Sequence, residues 1–524
     1  LAVAGLTIPL NEPVAAKSAS ELDDGLMPRP YGAGFVIPPT LQPVATGVDA
    51  LGPFSSYVIE QRAGSAVLLP SGQASTIWGY NGLLPGPTIH AEAGSRTIVR
   101  MRNRLPATHP LFGHAFETST HLHGNASLPQ YDGYASDLTP PGYAKTYQYP
   151  NSFQPARTLW YHDHAVHNTA PNVYTGLLGQ YHVHDPVERD LLPQRPFDVP
   201  MILGDVMFAE DGGLGYDDRD HSGLWGDVIV VNGVPWPVMK VQRRVYRFRV
   251  LNASVSRSYR LTLTPQSAMH VVGTDGGMVP TAQETAQLRI GSAERYEILI
   301  DFAQFAPGQR VELHNLSNEN NRDFDDTDKV MAFDVVGDPV DTTDPTWNRI
   351  PSALASSAAM SLRRDQAVRR RRLRLQKSDV TNEWSINGRT WHDVIDSGFR
   401  EVFANPGLND VEIWEIENRG GGWFHPVHIH LVDFQILSRN GRPPFNYERG
   451  PKDVVYVAEN EKVEVIMKFG PHRGKYMIHC HNLPHEDHDM MTQFSVGLVE
   501  GQVDVNDPIN ADPARPDTEA SSAS

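Results

Sequence analysis

The chain has 524 residues, 20% of them charged, and a formal net charge of −17 at pH 7. This acidic balance argues against nucleic acid and anionic membrane surfaces as partners. The length is enough for about three domains of roughly 150 residues each, and no apolar run of ~18 residues predicts a membrane-spanning helix.

The N-terminal 50 residues are rich in proline, glycine and small side chains, and we expect them to form an arm packed on the surface. Leu1–Leu10 lacks an initiator methionine and a basic segment, which indicates a processed N-terminus, so we expect a secreted protein. The single cysteine cannot form an internal disulfide and does not report the compartment. N-glycosylation triplets occur at Asn125, Asn252 and Asn315.

A first β-rich domain is predicted over residues 51–187. Strand-like stretches separated by turn signals, a pattern typical of all-β folds, occur at Ser56–Ile59, Ser75–Tyr80 and Arg96–Met101. A second β-rich domain is predicted over residues 188–345. It contains no His-x-His pair, so we interpret it as a structural domain that could also shape a cleft; its strand-like stretches are Val228–Val231, Val245–Leu251, Tyr259–Leu263 and Tyr296–Asp301.

The remaining chain divides into a linker (346–375), a third β-rich domain (376–500) and a tail (501–524) that we predict to be disordered from its Asp, Ala, Ser and Pro content. The linker ends in an arginine-rich run, residues 363–375. Such a run can bind nucleic acid or heparin. The strongly negative total charge favours a solvated edge that leads into a strand.

The only cysteine of the chain, Cys480, lies in a short stretch with the ligand types of a blue-copper site. His485 follows it by five residues and Met490 by ten. Two histidines, one cysteine and a weak axial methionine are the ligands of such electron-transfer sites. One imidazole has to come from elsewhere in the chain, and His425 can supply it.

The two neighbours of the cysteine, His479 and His481, predict a second metal centre. In a β-strand, successive side chains point to opposite faces, so both imidazoles face away from Cys480. They can bind a different copper from the one that the thiolate binds. The two centres would then be joined by a few covalent bonds, which is a short route for electrons.

Four His-x-His pairs together predict a cluster of three coppers. Each pair in a strand places two imidazoles on one face, about 6.6–6.8 Å apart along the chain, so they can straddle neighbouring metals. The first and third domains each contribute two pairs, and their faces must meet: His121/His123 and His162/His164 in the first, His428/His430 and His479/His481 in the third.

The pairs of the two domains follow the same order and similar spacing, which favours an internal duplication. When the pair around Asp163 is laid on the pair around Cys480, the aspartate takes the place of the thiolate. A fifth pair, His182/His184, has the same spacing but lies at the predicted domain edge without a counterpart in the third domain. We interpret it, like the remaining histidines, as structural.

These motifs, in this order, resemble those of the multicopper oxidases, over about residues 70–500. Three stretches resemble the fungal bilirubin oxidases in particular, and spore-coat laccases share several features more distantly: Trp225–Pro237, Ala293–Glu297 and His485–Met491. The resemblance implies three cupredoxin-like Greek-key β-barrel or sandwich domains and four coppers. It also implies O₂ as acceptor and a small aromatic or tetrapyrrole reductant. Because one chain holds both faces, we expect a monomer.

The resemblance also implies a role for each ligand. The type-1 copper is expected at His425, Cys480, His485 and Met490, and the type-2 copper at His121 and His428. The type-3 pair is expected at His123, His162, His164, His430, His479 and His481. Electrons are expected to enter through an exposed edge of His485.

Two carboxylates and one tryptophan complete the predicted site. Asp132 and Glu486 match acidic residues that deliver protons in the relatives; the alternative is that each carboxylate only orients a ligand histidine. Trp423 stands two residues before His425, so in a strand it would share the face of that ligand. It is expected either to contact an aromatic substrate or to shield the copper from water.

Three other functions compete with this hypothesis. A cuprous-ion oxidase would usually carry methionine-rich segments, whereas only Met490 and Met491 cluster here. A non-catalytic copper-binding or coat protein could have kept the ligands by descent. A nitrite reductase would need only type-1 and type-2 sites, and the additional pairs argue against it.

Overall fold

The computed structural model describes residues 19–151, 155–219, 221–337, 347–355, 357–378 and 380–518. Strands dominate these ranges, as the all-β prediction requires. The α-helices within them are short: α1 (Thr169–Tyr174), α2 (Pro186–Leu191), α3 (Trp391–Asp396) and α4 (Leu483–Asp487). No helix in the described ranges has the length and apolarity needed to span a bilayer.

The N-terminal unit is built from two sheets whose buried side chains form one cluster rich in tyrosine. One sheet has the order β1-β2-β5-β7 with β3 paired to β2, and the other has the order β4-β9-β8-β6. The strands are Ala45–Asp49, Gly52–Val67, Ala74–Tyr80, Ile89–Glu92, Arg96–Asn103, Thr120–His123, Tyr143–Pro150, Arg157–Asp163 and Leu178–His184 (β1–β9).

The central unit has a longer sheet, β13-β12-β10-β15-β20-β17-β18 with β11 paired to β10, and a shorter sheet, β14-β22-β21-β16-β19. Its strands are Asp198–Phe208, Leu214–Gly215, Val228–Val231, Val234–Pro235, Val238–Gln242, Val245–Asn252, Tyr259–Thr264, Met269–Thr274, Gly277–Thr285, Leu288–Ile290, Arg295–Asp301, Arg310–Asn315 and Lys329–Val336 (β10–β22). These strands include all four stretches predicted for this segment.

The C-terminal unit repeats the two-sheet arrangement with β24-β23-β25-β29-β27 and β28-β26-β30-β31. Its strands are Arg369–Lys377, Trp384–Ile386, Val411–Asn418, His425–Ile429, Phe434–Arg439, Val454–Val457, Lys462–Lys468, Gly474–Cys480 and Met491–Val496 (β23–β31). Strand β32 (Arg515–Pro516) returns to the N-terminal unit and pairs with β7.

Three sequence-based boundaries need correction. The predicted arm contributes strand β1, which pairs with β2 along its whole length. The predicted linker contains most of β23, because its arginines pair with glutamates on neighbouring strands, as Arg371 does with Glu412 and Arg372 with Glu415. The sequence predicts that the arginine-rich run (363–375) is a solvated edge that leads into a strand. The run does carry solvated arginines, but strand β23 already begins within it.

The tail is ordered over residues 501–518, so the prediction of disorder is wrong for this part; residues 519–524 lie outside the described ranges. Its content of Asp, Ala, Ser and Pro predicts disorder. The carboxylate of Asp517, however, forms ion pairs with Arg100 at 2.9 Å and with Arg104 at 2.6 Å. The Asp517 side chain is 1% exposed. Guanidinium partners on the N-terminal unit therefore hold a segment that has little apolar surface to bury.

Buried ion pairs fix the three units relative to one another. Arg157 of the N-terminal unit forms a two-bond pair with Asp433 of the C-terminal unit, with both N–O distances 2.9 Å. Arg295 of the central unit pairs with Asp453 of the C-terminal unit. Removing one partner of such a pair leaves a buried charge without compensation, so these contacts strongly favour one relative orientation.

Replacing Asp517 with Asn is expected to lower the free energy of unfolding by about 2 kcal/mol, because charge-assisted hydrogen bonds to two arginines are weakened in a largely buried setting. Denaturant unfolding of the full chain measures this change. Asp325→Asn, at an exposed carboxylate, is the matched control and should leave the midpoint unchanged. Equal midpoints for both variants would contradict the docked position of the tail.

Candidate metal centre

Strands β6 and β8 of the N-terminal unit and β26 and β30 of the C-terminal unit bring the four predicted histidine pairs together. Within each unit the first histidine of one pair lies opposite the first histidine of the other: His121 opposite His162, and His428 opposite His479. This identical register supports the duplication inferred from the sequence. All eight imidazoles are buried.

The rings of His121 and His428 meet across the interface between the two units, with their Nε2 atoms 3.4 Å apart. His121 Nδ1–H donates to the carbonyl of Asp132, and His428 Nδ1–H donates to the carbonyl of Asp453 at 2.9 Å. With both Nδ1 atoms protonated, both Nε2 atoms carry lone pairs. Two lone pairs that face each other repel, and a metal cation between them would bind both.

The same arrangement recurs around His479. Its Nε2 lies 3.2 Å from Nε2 of His430 and 3.2 Å from Nε2 of His164. The carboxylate of Asp132 accepts from His430 Nδ1–H at 2.8 Å, and Glu486 accepts from His479 Nδ1–H at 2.8 Å. These carboxylates fix the tautomers of His430 and His479, so their Nε2 lone pairs point toward each other, with His164 Nε2 beside them.

His123, His162 and His481 form the third group of the cluster. Their ring centroids are 5.1–5.7 Å apart. His123 Nδ1, His162 Nε2 and His481 Nε2 are buried nitrogens without a hydrogen-bond partner within the described chain. Burial of such polar atoms is costly unless a ligand satisfies them. Burial also lowers the pKa of His162 to about 3, so its imidazole is neutral and available to a metal.

The thiol of Cys480 lies 3.4 Å from His425 Nδ1 and 3.7 Å from His485 Nδ1, and the two imidazole nitrogens are 3.2 Å apart. Burial raises the pKa of the Cys480 thiol, so the thiolate requires a cation at this position. The backbone N–H of Asn482 donates to the sulfur at 3.4 Å, which favours the charged form.

The side chain of Met490 is fully buried in the same apolar cluster as Cys480. Its backbone is tied to two of the predicted ligands, because Cys480 N–H donates to Met490 C=O at 3.0 Å and Met490 N–H donates to His485 C=O at 2.8 Å. The loop that connects the cysteine to the methionine is therefore closed on itself. This closure keeps Met490 next to the point where His425, Cys480 and His485 meet.

The prediction that electrons enter through an exposed edge of His485 is wrong, because this side chain is 0% exposed. Its Nε2–H donates to the carbonyl of Ser222 at 2.8 Å, and Trp384 stacks on the ring with centroids 3.9 Å apart. Ser222 belongs to the central unit, which the sequence predicts to be a structural domain that could also shape a cleft. That unit therefore covers the mononuclear site.

Trp423 does not lie on strand β26, which begins at His425, so the predicted face relation does not apply. Its ring reaches the site by another route: it stands edge-on to the His485 ring with centroids 5.6 Å apart. Trp225 of the central unit stacks on Trp423 at 5.8 Å. Trp423 is partly exposed, whereas Trp225 and Trp384 are buried.

The carboxylates predicted for proton delivery both contact ligand histidines. Burial raises the pKa of Asp132. Burial acts in the same direction on Glu486, but the nearby imidazoles of His479 and His164 outweigh it and lower the Glu486 pKa to about 2. The two carboxylates therefore have opposite tendencies to hold a proton.

Two contributors to the site, Asp453 and Ser222, were missed in the sequence. Asp453 accepts from His123 Nε2 at 3.1 Å and pairs with Arg295. Ser222 contributes only a backbone carbonyl, which no sequence motif can reveal. The position of Asp453, opposite the histidine strand on the neighbouring β28 turn, becomes visible only when the register is known.

The donors present match copper well. Facing imidazole lone pairs, orphaned buried nitrogens and one buried thiol between two imidazoles are a donor set that suits copper in both oxidation states. Three two-sheet units with a mononuclear thiolate site and a separate imidazole cluster define the class of blue-copper oxidases.

Family comparisons agree with this class. Three models, each described as multicopper oxidase, match residues 63–188, 173–333 and 370–498. The chain belongs to the multicopper oxidase family. Members of this family are oxidoreductases that use O₂ and hold four coppers: one type 1, one type 2 and two type 3.

Similar curated proteins include a bilirubin oxidase from Albifimbria verrucaria, 40% identical over 88% of this chain and 80% of its own length. A laccase from Bacillus subtilis is 33% identical over 88% of this chain and 97% of its own length. Among solved structures, a laccase from Pediococcus acidilactici has a TM-score of 0.76 at 28% identity, covering 92% of this chain and 100% of its own. The chain is thus a bilirubin oxidase- or laccase-like multicopper oxidase.

Replacing Cys480 with Ser is expected to reduce the copper content from four to three per chain and to abolish the blue absorption, because a hydroxyl cannot replace the soft thiolate. The eight imidazoles of the cluster are untouched by the change. Metal analysis together with visible spectroscopy checks both statements. Four retained coppers in the variant would contradict the assignment of the thiol.

Proposed function

We propose that the chain oxidises small aromatic or tetrapyrrole reductants one electron at a time and reduces O₂ to water. Four one-electron oxidations supply the electrons, and four protons complete the formation of two waters from one O₂. The observation that carries the choice of reductant is the partly exposed Trp423, whose ring contacts that of the otherwise buried His485.

We propose the following ligands for the coppers. His425, Cys480, His485 and Met490 hold the type-1 ion; His121 and His428 hold the type-2 ion; His123, His162, His164, His430, His479 and His481 hold the type-3 pair. The facing nitrogens and the shared burial of these residues support this division. When bound, these ions accept single electrons from the reductant and supply four electrons to O₂.

The chain itself keeps water and bulky reductants away from the ligands. Ser222 and Trp384 cover His485, so a reductant reaches the outside of Trp423 and goes no further. An aromatic ring can stack on this indole, and such a pair contributes about 0.5–1.5 kcal/mol beyond area burial. This geometry selects planar reductants by contact with one ring.

Asp132 and Glu486 have two tasks in this proposal. Each accepts a hydrogen bond from a ligand imidazole and so orients it. Each also holds a carboxyl oxygen next to the cluster: Asp132 Oδ1 lies 3.6 Å from His121 Nδ1, and Glu486 Oε1 lies 3.4 Å from His164 Nδ1. The raised pKa of Asp132 favours it as the group that carries a proton at Oδ1.

A cuprous-ion oxidase is the second candidate. It is less supported, because Met490 and Met491 are both buried and offer no methionine surface to an arriving ion. A non-catalytic copper protein is disfavoured by the oxidoreductases among the relatives.

We further propose that the protein is secreted and acts as a monomer. One chain supplies both halves of the cluster, so catalysis needs no second copy. Glycosylation is not part of this proposal, because the three triplet asparagines are buried and their amides donate within the chain.

Replacing Trp423 with Ala is expected to raise KM for a phenolic reductant about tenfold, because a stacking contact worth roughly 1.4 kcal/mol is lost. Trp423→Phe should retain most of the contact. Steady-state O₂ uptake with 2,6-dimethoxyphenol and with bilirubin measures the change, with copper counted in each preparation. Trp347→Phe is the control and should leave KM unchanged. The Trp347 indole is partly buried, and its N–H donates a hydrogen bond to the backbone carbonyl of Arg189. Unaltered kinetics of Trp423→Ala with both reductants would refute entry at this ring.

Replacing Asp132 with Asn is expected to leave the copper content unchanged, since an amide oxygen still accepts from His430 Nδ1–H. The amide cannot carry a proton, so kcat should fall about 100-fold at saturating reductant. O₂ uptake combined with metal analysis separates the two tasks. Full turnover with full copper would leave only the orienting role, whereas loss of copper would show that the charge itself is needed for binding.

A further inference from the structure

We propose that His90, His182 and His184 form a separate binding site for one divalent transition-metal ion, Zn²⁺ or Cu²⁺. From the sequence, the pair His182/His184 is interpreted as structural because it has no counterpart in the third domain. The structure supplies one, because β4 pairs in parallel with β9 and His90 lies in register with His182. Three imidazoles, each offering a nitrogen within 4.8 Å of the others, therefore share one face at the edge of a sheet.

Hydrogen bonding fixes the tautomer of His182. The amide nitrogen of Gln180 donates to the carbonyl of Arg249 at 2.9 Å, which leaves Gln180 Oε1 to accept from His182 Nε2–H at 2.9 Å. His182 Nδ1 must then carry a lone pair. The side chain is 2% exposed, and Nδ1 has no partner within the described chain. A buried lone pair of this kind is costly unless a cation accepts it.

A carboxylate fixes His184 in the same way. Although burial opposes it, Arg247 lowers the pKa of Glu188, so this carboxylate is charged. It accepts from His184 Nδ1–H at 3.4 Å, which leaves the lone pair of His184 on Nε2. A carboxylate behind an imidazole is the usual support of a metal-binding histidine.

His90 completes the set with Nδ1 2.9 Å from Nε2 of His184. A hydrogen bond between the two rings accounts for this distance, but it leaves His182 Nδ1 without a partner. Two nitrogens bound to one ion at about 2.0–2.1 Å lie at a similar separation, and the proposed copper ligands in this chain are 3.2–3.4 Å apart. Burial, with a contribution from Arg195, lowers the pKa of His90 to about 3, so its imidazole is neutral.

The site is distinct from the oxidase cluster. Strand β8 pairs His182 with Thr158 and Leu178 with His162. Thr158 and His162 are four positions apart, about 13 Å along a strand. The charges behind the three rings nearly balance: carboxylates of Glu188, Asp198 and Glu297 face guanidiniums of Arg247 and Arg249. An ion here would tie the edge strand β4 to β9 beside the junction with the central unit.

The test uses the full-length holoenzyme with its coppers counted. Zinc sulfate is titrated by calorimetry in one arm, and copper(II) sulfate is added with integration of the electron paramagnetic resonance signal in the other. We expect one additional ion per chain in at least one arm, with the original copper content unchanged and a higher unfolding temperature. No additional ion in either arm, at a molar excess over protein, overturns the proposal.

Variants locate the ion. His90→Gln replaces a partly exposed ligand ring. Losing the hydrogen bond that supports a metal ligand typically weakens metal binding roughly 10- to 100-fold, so losing the ligand itself is expected to weaken binding of the additional ion by more than that. His184→Gln is a second test of the same site. The control is His270→Gln, at a partly exposed strand histidine of the central unit, which should bind the additional ion as the parent does. Unweakened binding in both His90→Gln and His184→Gln overturns the assignment.

Discussion

Imidazole lone pairs that point at one another across the boundary of two structural units are the constraint on which this structure depends. His121 and His428 cannot hydrogen-bond through Nε2, because backbone carbonyls already occupy both Nδ1–H groups. Two lone pairs in this position repel each other, and a metal cation between them would bind both. A metal ion held by these two rings would couple metal binding to docking of the first and last units, and the free energy of binding would contribute to holding them together.

Buried ion pairs let the chain hold such an arrangement in place. Arg295 and Asp453 join the central unit to the C-terminal unit, and the same aspartate contacts His123 through an oxygen. The carboxylate thereby links the orientation of one ligand to the docking of a whole unit. Arg157 and Asp433 fix the remaining interface independently. These pairs have a high desolvation cost, but they define one geometry, which the cluster requires.

Much of the site could be predicted from the sequence because its ligands lie close together in short stretches of the chain. Alternation along β30 separates Cys480 from His479 and His481, and period-two alternation needs no tertiary information. The linker and the tail were misjudged because composition does not reveal partners: Asp517 is ordered by arginines far away in the chain. The partner of His182 was missed for the same reason, since strand register decides it and a lone histidine at position 90 carries no motif.

The central unit shows why absence of ligands does not mean absence of function. Its described residues contribute no imidazole to the proposed copper sites, yet its Ser222 carbonyl accepts the Nε2–H of His485 and its Trp225 stacks on Trp423. The hydrogen bond fixes the tautomer, so Nδ1 is left to face the thiol. The same contacts bury the His485 ring and leave the Trp423 indole partly exposed. The proposed contact with the reductant and the orientation of the His485 ring therefore depend on one interface, and movement of the central unit would alter both together.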